Sequence, residues 1–432
     1  MEISVETDVA DLQGVIDQLI AAGGGRLLLE PGWHVAGPLR LGSGVTLVIQ
    51  EGATLEFTPN YEYYASNSVS VIAEASDRAY ITAQNARDIA IVGKGRILGA
   101  GHAFRTGFDE SVGTFTPSEK RPRILVLEDC RNVRLEGVFI EDSPMWTVHL
   151  VRCETVAISD VEISNNRQLP NTDGVVIDSC RHVTIRDVII RTADDGICLK
   201  TSRSDRGISI CENVEISGCV VESKSCALKI GTESFGDVRN VRFSRSKVEA
   251  SNRGLGIFSR DGGIIEDIVF SDIELDCHET PDGFWGSGEP LTITQLDRRP
   301  ELPAGVVRNV TAENIKGRCH GAINLFAEKA GGIDGIILHN IDLTMDEGPL
   351  GTARQYDLRP TNADLAPPEG AEGRGNAWLR GADGKILGLV DYPGGLPGVF
   401  THNVTHLVME EVAIERPTPL PAGWNSLDIV SE

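Results

Sequence analysis

The sequence predicts an all-β protein that winds as a single-stranded, right-handed parallel β-helix with an N-terminal capping helix, as one domain over residues 1–432. Segments such as "RNVRLEGVFIED", "RHVTIRDVIIRT" and "EDIVFSDIELD" each contain a polar pair, alternating apolar residues, a short corner and a second strand. From Val133 to Ile268, the first apolar residues of six such segments are spaced 23, 27, 31, 27 and 27 residues apart. This pattern is typical of stacked parallel coils, whereas the blades of a β-propeller repeat about every 40–50 residues.

The two ends of such a solenoid need covering, because an open coil exposes strand edges. The segment "TDVADLQGVIDQLIAAGGG" predicts a cap helix over residues 8–22, with Thr7 or Asp8 as its N-cap and Gly23 at its end. Its predicted apolar face consists of Leu12, Val15, Ile16, Leu19 and Ile20. Residues 346–400, which are rich in Pro, Gly and charge, are predicted to be an inserted loop region packed against the coils.

The composition excludes several classes of partner. A net charge of −23 argues against nucleic acid, and the lack of any apolar run of 18 residues argues against a membrane span. The nine cysteines form no C-x-x-C pair, so we expect reduced thiols, no metal and no other cofactor. The acidic start does not resemble a secretory signal, which favours a cytoplasmic protein, or a secreted one if a signal was removed. The sequence sets no oligomeric state.

Two successive coils carry acids at the same point. The stretches "NTDGVVIDSC" and "TADDGICLK" each place an Asp-Gly pair before an apolar run. Aligning the inward apolar residues puts Asp173 and Asp195 on adjacent rungs, about 4.8 Å apart, with Asp194 beside them. Their repulsion should raise at least one pKa and so offer one protonated acid beside ionised ones, as glycoside cleavage requires. Turn formation by Asp-Gly is the alternative, and it explains either acid alone but not the stacking.

These motifs resemble the polygalacturonase-type glycoside hydrolases of family 28, which are right-handed parallel β-helices that cut pectic chains with inversion. The resemblance is carried by "NTDG", by "ADD" 21 residues later, and by "SPMWTVHL" and "GKGRILGAG", over residues 8 to about 345. It implies that Asp194 is the general acid and that Asp173 and Asp195 hold and activate the water. For inversion, the acid and water-side carboxyl groups should lie about 6.5–9.5 Å apart.

The sequence also departs from this family. The G-H-G motif of the family falls on Lys224–Cys226, with Ser225 in place of the histidine, and the R-I-K motif falls on Gly256–Phe258, without either cation. The subsite at the cleaved bond should therefore not demand a free galacturonate carboxylate. Residues 191–260 nevertheless contain 12 Lys/Arg and 9 Asp/Glu, a local excess of three positive charges.

Further candidates for substrate binding face the groove or overhang it. They are Trp146, His149, Asn171, Lys200, Lys229, Glu233, Arg253 and Trp285. Trp146 would offer a stacking surface to a sugar ring, although an indole packed under a loop would fit the same pattern. Lys229 or Arg253 would bind an acidic sugar near the cleaved residue, and the alternative for each is a solvated edge charge.

The sequence thus predicts a glycosidase acting on pectic or related plant-wall oligosaccharides or polysaccharides. It also predicts action from chain ends, because the insertion would close the groove. One alternative is a polysaccharide lyase of the same fold, which needs a lysine or arginine base and commonly Ca²⁺. The other is a non-catalytic carbohydrate-binding β-helix.

Overall fold

The computed structural model describes residues 1–7, 11–110, 113–281, 284–359 and 380–432. Over these ranges the chain winds into stacked coils, and each coil contributes strands to two large sheets whose neighbouring strands run almost entirely parallel. The predicted parallel β-helix is therefore confirmed. The interior of the coils is one continuous apolar core built from the inward residues of both sheets.

The larger sheet, here called the outer sheet, has twenty strands within the described residues. They are Glu2–Val5, Gly25–Leu29, Gly32–Ala36, Val45–Ile49, Ala53–Phe57, Arg87–Gly93, Arg96–Leu98, Arg131–Glu136, Phe139–Glu141, Glu154–Ser159, Glu162–Ser164, Arg181–Arg186, Ile189–Thr192, Cys211–Ser217, Val220–Ser223, Val238–Ser251, Ile265–Cys277, Val307–Cys319, Ile333–Met345 and Val404–Glu415. Up to residue 223, most coils contribute two short strands, separated by a corner of two or three residues. From residue 238 onward, one long strand replaces the two short ones.

The second sheet, here called the groove sheet, has thirteen strands within the described residues. They are Leu39–Arg40, Ser68–Ala73, Ser76–Gln84, Arg123–Glu128, Val148–Val151, Val175–Asp178, Ile197–Thr201, Cys226–Ser234, Arg253–Ser259, Glu289–Gln295, Ile323–Ala327, Val399–His402 and Ile429–Ser431. Among the residues that the structure describes, two antiparallel pairs lie outside both sheets, Arg105–Asp109 with Thr114–Pro117 and Gln355–Asp357 with Leu389–Asp391. Three short 3-10 helices in the same ranges span Tyr61–Asn67, Gly101–Ala103 and Thr352–Arg354.

The polar residue before the first apolar residue of each outer-sheet repeat has a left-handed backbone near the start of its strand. Asn213, Asn240, Asp267 and Asn309 all have φ between 53° and 58°. Asparagine and aspartate tolerate this left-handed conformation better than other side chains with a Cβ atom. Such residues of neighbouring coils are also bonded to each other, since the Asn309 amide donates to Asp267 at 3.1 Å. The repeated "RNV" and "ENV" signature therefore marks the start of an outer-sheet strand.

The N-terminal helix spans Leu12–Ala21 and begins later than predicted. Asp11 is the N-cap and accepts the N–H of the residue three positions on at 2.8 Å, so Thr7 is not the cap, and Asp8 lies outside the described residues. Gly23 follows the helix with φ 86°, as its predicted place at the helix end requires. The helix buries Leu12, Ile16 and Leu19 against the first coils, whereas Ile20 is 39% exposed.

All nine cysteines are buried and unpaired, and most of them line the core as small apolar residues. None of the helices in the described ranges is long and apolar enough to cross a membrane.

The described parts of the insertion at 346–400 are fixed to the coils. The Glu279 carboxylate accepts the N–H groups of Leu350, Gly351 and Ala353 at 2.7–3.0 Å. Further along, Tyr356 packs against aromatic rings of the last coils. These described parts of the insertion therefore lie against the groove side of the later coils.

Candidate active site

The register of the groove sheet brings the two acid motifs together. Val175 of one coil pairs with Ile197 of the next, so Asp173 and Asp195 hold the same position two residues earlier. A backbone hydrogen bond of 2.9 Å from the N–H of Gly174 to the carbonyl of Asp195 joins the two turns. The column predicted from the inward apolar residues is present.

The glycine after each acid is required by close packing between coils. A Cβ atom on Gly174 would lie 2.6 Å from the carbonyl oxygen of Gly196, and one on Gly196 would lie 2.5 Å from that of Ala227. Backbone oxygens cannot move away without disturbing the rungs. The Asp-Gly pairs thus serve both the turn and the acid position.

Asp173, Asp194 and Asp195, here called the acid trio, form one buried cluster. One carboxylate oxygen from each lies within 4.8 Å of the others, and the three residues are 2%, 9% and 2% exposed. The trio is more tightly packed than the separation of about 6.5–9.5 Å expected for an inverting pair. These oxygens therefore lie closer together than that separation, and the separation of the carboxyl groups as a whole stays a prediction.

Backbone donors hold the carboxyl group of Asp194 in place. Its two oxygens accept the N–H of Asp195 at 2.9 Å and the N–H of Asn171 at 3.2 Å. The hydroxyl groups of Thr192 and Ser223 both donate to the Asp194 carbonyl, at 2.6 and 2.7 Å. The turn that carries Asp194 is thereby fixed on both sides.

Asp195 is held by a cation and a hydroxyl group. Lys229 Nζ lies 2.6 Å from Asp195 Oδ2, and Ser225 Oγ donates to Asp195 Oδ1 at 2.8 Å. Burial acts to raise the pKa of Asp195, but the positive charges of Lys229 and Lys200 outweigh it and hold the pKa below its usual value. For this member of the trio the pKa moves opposite to the rise expected from repulsion.

A second buried ion pair lies beside the trio. Lys200 Nζ is 2.7 Å from Glu233 Oε2, and both side chains are almost fully buried. Arg298, which the sequence reasoning missed, places Nη1 4.0 Å from Glu233 and 3.8 Å from Asp261. The doubled arginine in "DRRP", directly after a groove-sheet strand, is the signal that would have found it.

Trp146 and His149 lie in the wall of the site and are buried. Trp146 is 2% exposed, with Lys200 Nζ 4.6 Å from its ring and the His149 ring edge-on at 5.0 Å. Trp146 is therefore a packed indole in this structure, as in the alternative to an open stacking surface for a sugar. Arg123 lies 2.8 Å from His149 Nδ1, and burial lowers the pKa of His149 to about 4. His149 is therefore neutral at pH 7 and contacts protein groups.

Asn171 is an anchor for the first acid turn. Its side-chain oxygen accepts a hydrogen bond from Arg121 at 2.8 Å, and its amide donates to Glu74 at 2.7 Å. Its backbone has φ 60° and gives its N–H to Asp194. These contacts position the trio from the side of the first coil.

Arg253 and Trp285 belong to a second cluster, formed with the insertion. The guanidinium of Arg253 lies 2.5 Å from the carboxylate of Asp357 and 3.7 Å from that of Glu289. The guanidinium of Arg359 lies 5.2 Å from the ring centre of Trp285. The structure thus brings the acid trio together with Lys200, Lys229 and Glu233, and it places Arg253 and Trp285 against the insertion instead.

Comparison with known proteins gives a consistent result. The model of the glycosyl hydrolases family 28 matches residues 31–355 of this chain. Polygalacturonase-2 of Solanum lycopersicum is 24% identical over 312 residues, which cover 69% of this chain and 65% of that protein. The chain spans between 37% and 65% of the length of the first four curated relatives that it matches.

Solved structures share the fold. A hyperthermoactive exopolygalacturonase from Thermotoga maritima aligns with a TM-score of 0.63 at 23% identity, over 80% of this chain and 88% of that one. A family 28 exopolygalacturonase from Yersinia enterocolitica aligns with a TM-score of 0.66 at 11% identity, over 100% of this chain and 78% of that one.

Proposed function

The chain belongs to the glycosyl hydrolases of family 28, and we propose that it is a glycosidase that cleaves pectic or related plant-wall oligosaccharides by acid and base catalysis. The observation that carries the proposal is the acid trio, in which three carboxyl groups from adjacent coils share one buried space. The family resemblance read from the two acid motifs is confirmed by the family model. The polygalacturonase names of the relatives support a pectic substrate.

In the proposed reaction, Asp194 donates its proton to the glycosidic oxygen as the bond from that oxygen to the anomeric carbon breaks. A water molecule held by Asp173 and Asp195 attacks the anomeric carbon, and the proton that it loses passes to one of these carboxylates. The contact of Lys229 with Asp195 supports this division of roles, because it favours the ionised form of Asp195.

Inversion at the anomeric carbon is the course that the family resemblance implies, and we propose it here. The tight packing of the trio favours a second candidate, because carboxyl groups about 5–5.5 Å apart accompany retention in most glycosidase families. In that case a carboxylate of the trio attacks the sugar directly. Proton NMR of the first-formed product separates the two, since a retained anomer refutes attack by water and an inverted anomer refutes the covalent route.

We further propose that cleavage starts from chain ends, because Asp357 of the insertion is bonded to the groove sheet close to the acids. Arg253, which is bonded to Asp357 of the insertion, lies two rungs beyond Asp195, about 10 Å along the sheet. We therefore expect the insertion to obstruct a long chain at that point. The expected products from pectic oligosaccharides are single residues, measured by chromatography.

A polygalacturonate solution provides a test that can contradict action from chain ends. If the protein acts from chain ends, we expect reducing ends to accumulate while the viscosity of the solution falls little. Rapid viscosity loss at a low yield of reducing ends would show internal cutting and overturn the exo proposal while leaving the glycosidase intact.

The subsite at the cleaved bond is proposed not to require a galacturonate carboxylate. The two positions of the missing family cations hold Gly256 and Phe258. Lys229 and Arg253, the nearby cations expected to bind an acidic sugar, are already paired with Asp195 and with the insertion. A screen of acidic and neutral pectic oligosaccharides tests this, and strict dependence of kcat/KM on a carboxylate at the cleaved residue would refute it.

The lyase alternative is weakened by the state of Lys229. Burial acts to lower the pKa of Lys229, but Asp195, together with Cys198 and Asp194, outweighs it and raises the pKa above its usual value, so this lysine is a protonated partner and not a free base. Its ammonium also neutralises the carboxylate that Ca²⁺ would need. An unsaturated, ultraviolet-absorbing product that chelators abolish would nevertheless establish a lyase.

A non-catalytic carbohydrate-binding protein is the remaining alternative. It predicts no release of reducing ends from any oligosaccharide in the screen. It also predicts that Asp194→Asn leaves the function of the protein unchanged. Reducing ends that appear with wild type and disappear with Asp194→Asn exclude it.

A further inference from the structure

The side chain of Lys229 is confined between the acid trio and the next coil. Its backbone pairs with Cys198 of the coil that carries Asp195, and its Nζ lies 2.6 Å from the Asp195 carboxylate. On the other side, the ring centre of Phe258 is 5.4 Å from Nζ. The side chain is 12% exposed. Lys229 therefore faces a protein carboxylate and an aromatic ring, with little of its surface left for a sugar.

The surroundings of Asp195 fit a carboxylate rather than a carboxylic acid. Each oxygen has its own donor, Lys229 on Oδ2 and Ser225 on Oδ1. The charged and titratable groups that act on it from its own coil and from the adjacent coils are Asp173, Asp194, Cys198, Lys200, Cys226, Lys229 and Arg253. Three of these are cations, and Lys229 is in direct contact with Asp195.

We propose that Lys229 is a positioning residue that keeps Asp195 the ionised member of the acid trio, and that it does not bind substrate. This inference rests on the proposed glycosidase function. Three carboxyl groups within 4.8 Å cannot all ionise without strong repulsion. A cation fixed on Asp195 makes that carboxyl group the least favourable place for the shared proton. The proton is thereby left to the other two members of the trio, which include Asp194, the general acid of the proposed reaction.

Both cations of the R-I-K motif are missing from this chain, and Lys229 lies beside the positions that they would occupy. Phe258 stands at one of those lost positions and packs toward Lys229. The lysine is thus held in contact with Asp195 by its neighbours in the next coil. Its replacement should alter the protonation of the trio, while substrate affinity should change little.

The test compares Lys229→Met with Lys229→Arg in the full chain. Loss of the cation should raise the pKa of Asp195, so the acidic limb of the kcat/KM profile should move up by about 1–3 pH units. KM should stay within about threefold, because no contact with substrate is lost. Lys229→Arg, which keeps the charge, should restore the limb to near its wild-type position. Lys247→Met, which removes an exposed lysine paired with Glu249 at 2.9 Å, is the matched control and should match wild type.

Two kinetic results would overturn the inference. A KM that rises about tenfold or more with the acidic limb unmoved would make Lys229 a substrate-binding residue. A profile and a KM that both match wild type would leave it without a role in the site. Thermal unfolding of each variant, measured beside the kinetics, identifies a change that comes from lost folding.

A readout without substrate separates this inference from the proposed function. Carbon-13 NMR of labelled aspartate carboxyl groups, with the Asp195 signal assigned by its loss in Asp195→Asn, follows the titration directly. The Asp195 carboxyl should titrate at a higher pH in Lys229→Met than in wild type. An unshifted titration refutes the role of Lys229 even if the protein is a glycosidase, whereas a shifted titration supports the pairing even if no substrate is cleaved.

Discussion

Removing the charge of Asp357 should destabilise the protein measurably, because this carboxylate holds the insertion to the coils. Asp357 is fully buried and contacts Arg253 at 2.5 Å and the side chain of Arg359 at 2.8 and 2.9 Å. It also accepts the N–H of Gly286 at 3.1 Å. The substitution Asp357→Asn keeps the volume but removes the negative charge that Arg253 and Arg359 share, and breaking a buried ion pair in this way costs about 3–5 kcal/mol.

This cost converts into a shift of the melting temperature. With about 2.1 cal/mol/K per residue, cooperative unfolding of 432 residues has an entropy of about 0.9 kcal/mol/K, so Tm should fall by about 3–6 °C at pH 7. Circular dichroism in the strand region measures it. The matched control is Glu347→Gln in the same insertion, since Glu347 lies 3.8 Å from Arg354 and both are exposed. That surface pair is worth about 0–1 kcal/mol, which predicts a shift of about 1 °C or less.

The shift should also depend on pH in a defined direction. Burial acts to raise the pKa of Asp357, but Arg359 and Arg253 outweigh it and hold the pKa well below its usual value. A carboxyl group with a depressed folded-state pKa stabilises the protein above its unfolded pKa of about 3.9, and this stabilisation is lost as the pH falls below it. The Tm gap between wild type and Asp357→Asn should therefore be full at pH 7 and should shrink below about pH 4. A Tm within about 1 °C of that of Glu347→Gln at pH 7, or a gap independent of pH, would refute the reasoning.

Three further predictions concern the site and the core. Asp194→Asn should lower kcat by several orders of magnitude with Tm and oligosaccharide binding nearly intact, and a variant within about tenfold of wild type would remove Asp194 from the mechanism. Gly256→Arg alone should lower Tm, because a Cβ there would lie 2.5 Å from the Phe258 ring, whereas Gly256→Arg combined with Phe258→Lys should fold better and gain activity on homogalacturonan. No gain would contradict the lost-cation argument. A thiol reagent should find nine reactive cysteines in denaturant and almost none in the native protein, and rapid native labelling would contradict the burial of the thiols.

The repeat and the acid column were predictable because they depend on local rules. Inward apolar residues set the register of a parallel rung, and register alone places Asp173 next to Asp195. The cap helix was predicted for the same reason, although its start was placed too early. Asp11 took the N-cap role that Thr7 or Asp8 was expected to fill.

The partners of the groove cations could not be predicted from register. A long lysine side chain reaches across rungs, so the outward position of Lys229 did not show that its ammonium would meet Asp195. Arg253 pairs with Asp357, which lies 104 residues away in an insertion that follows no repeat. Burial of Trp146 likewise depends on Lys200 and on loops whose paths alternating apolar residues do not encode.

The corners of the coils differ in how freely their length can vary. The corner between paired outer-sheet strands is short in every coil that has two such strands. The connection from the outer sheet to the groove sheet varies in length: it is Asn252 alone in one coil, residues 278–288 in another and residues 346–398 in a third. The rungs keep their spacing regardless, because each is bonded to its neighbours and not to its own loop. The two sheets therefore form a constant framework, and the connecting segments that form the walls of the groove can differ without changing it. Exchange of the segment at 346–398 should reshape what the protein admits to its catalytic carboxyl groups without moving those groups at all.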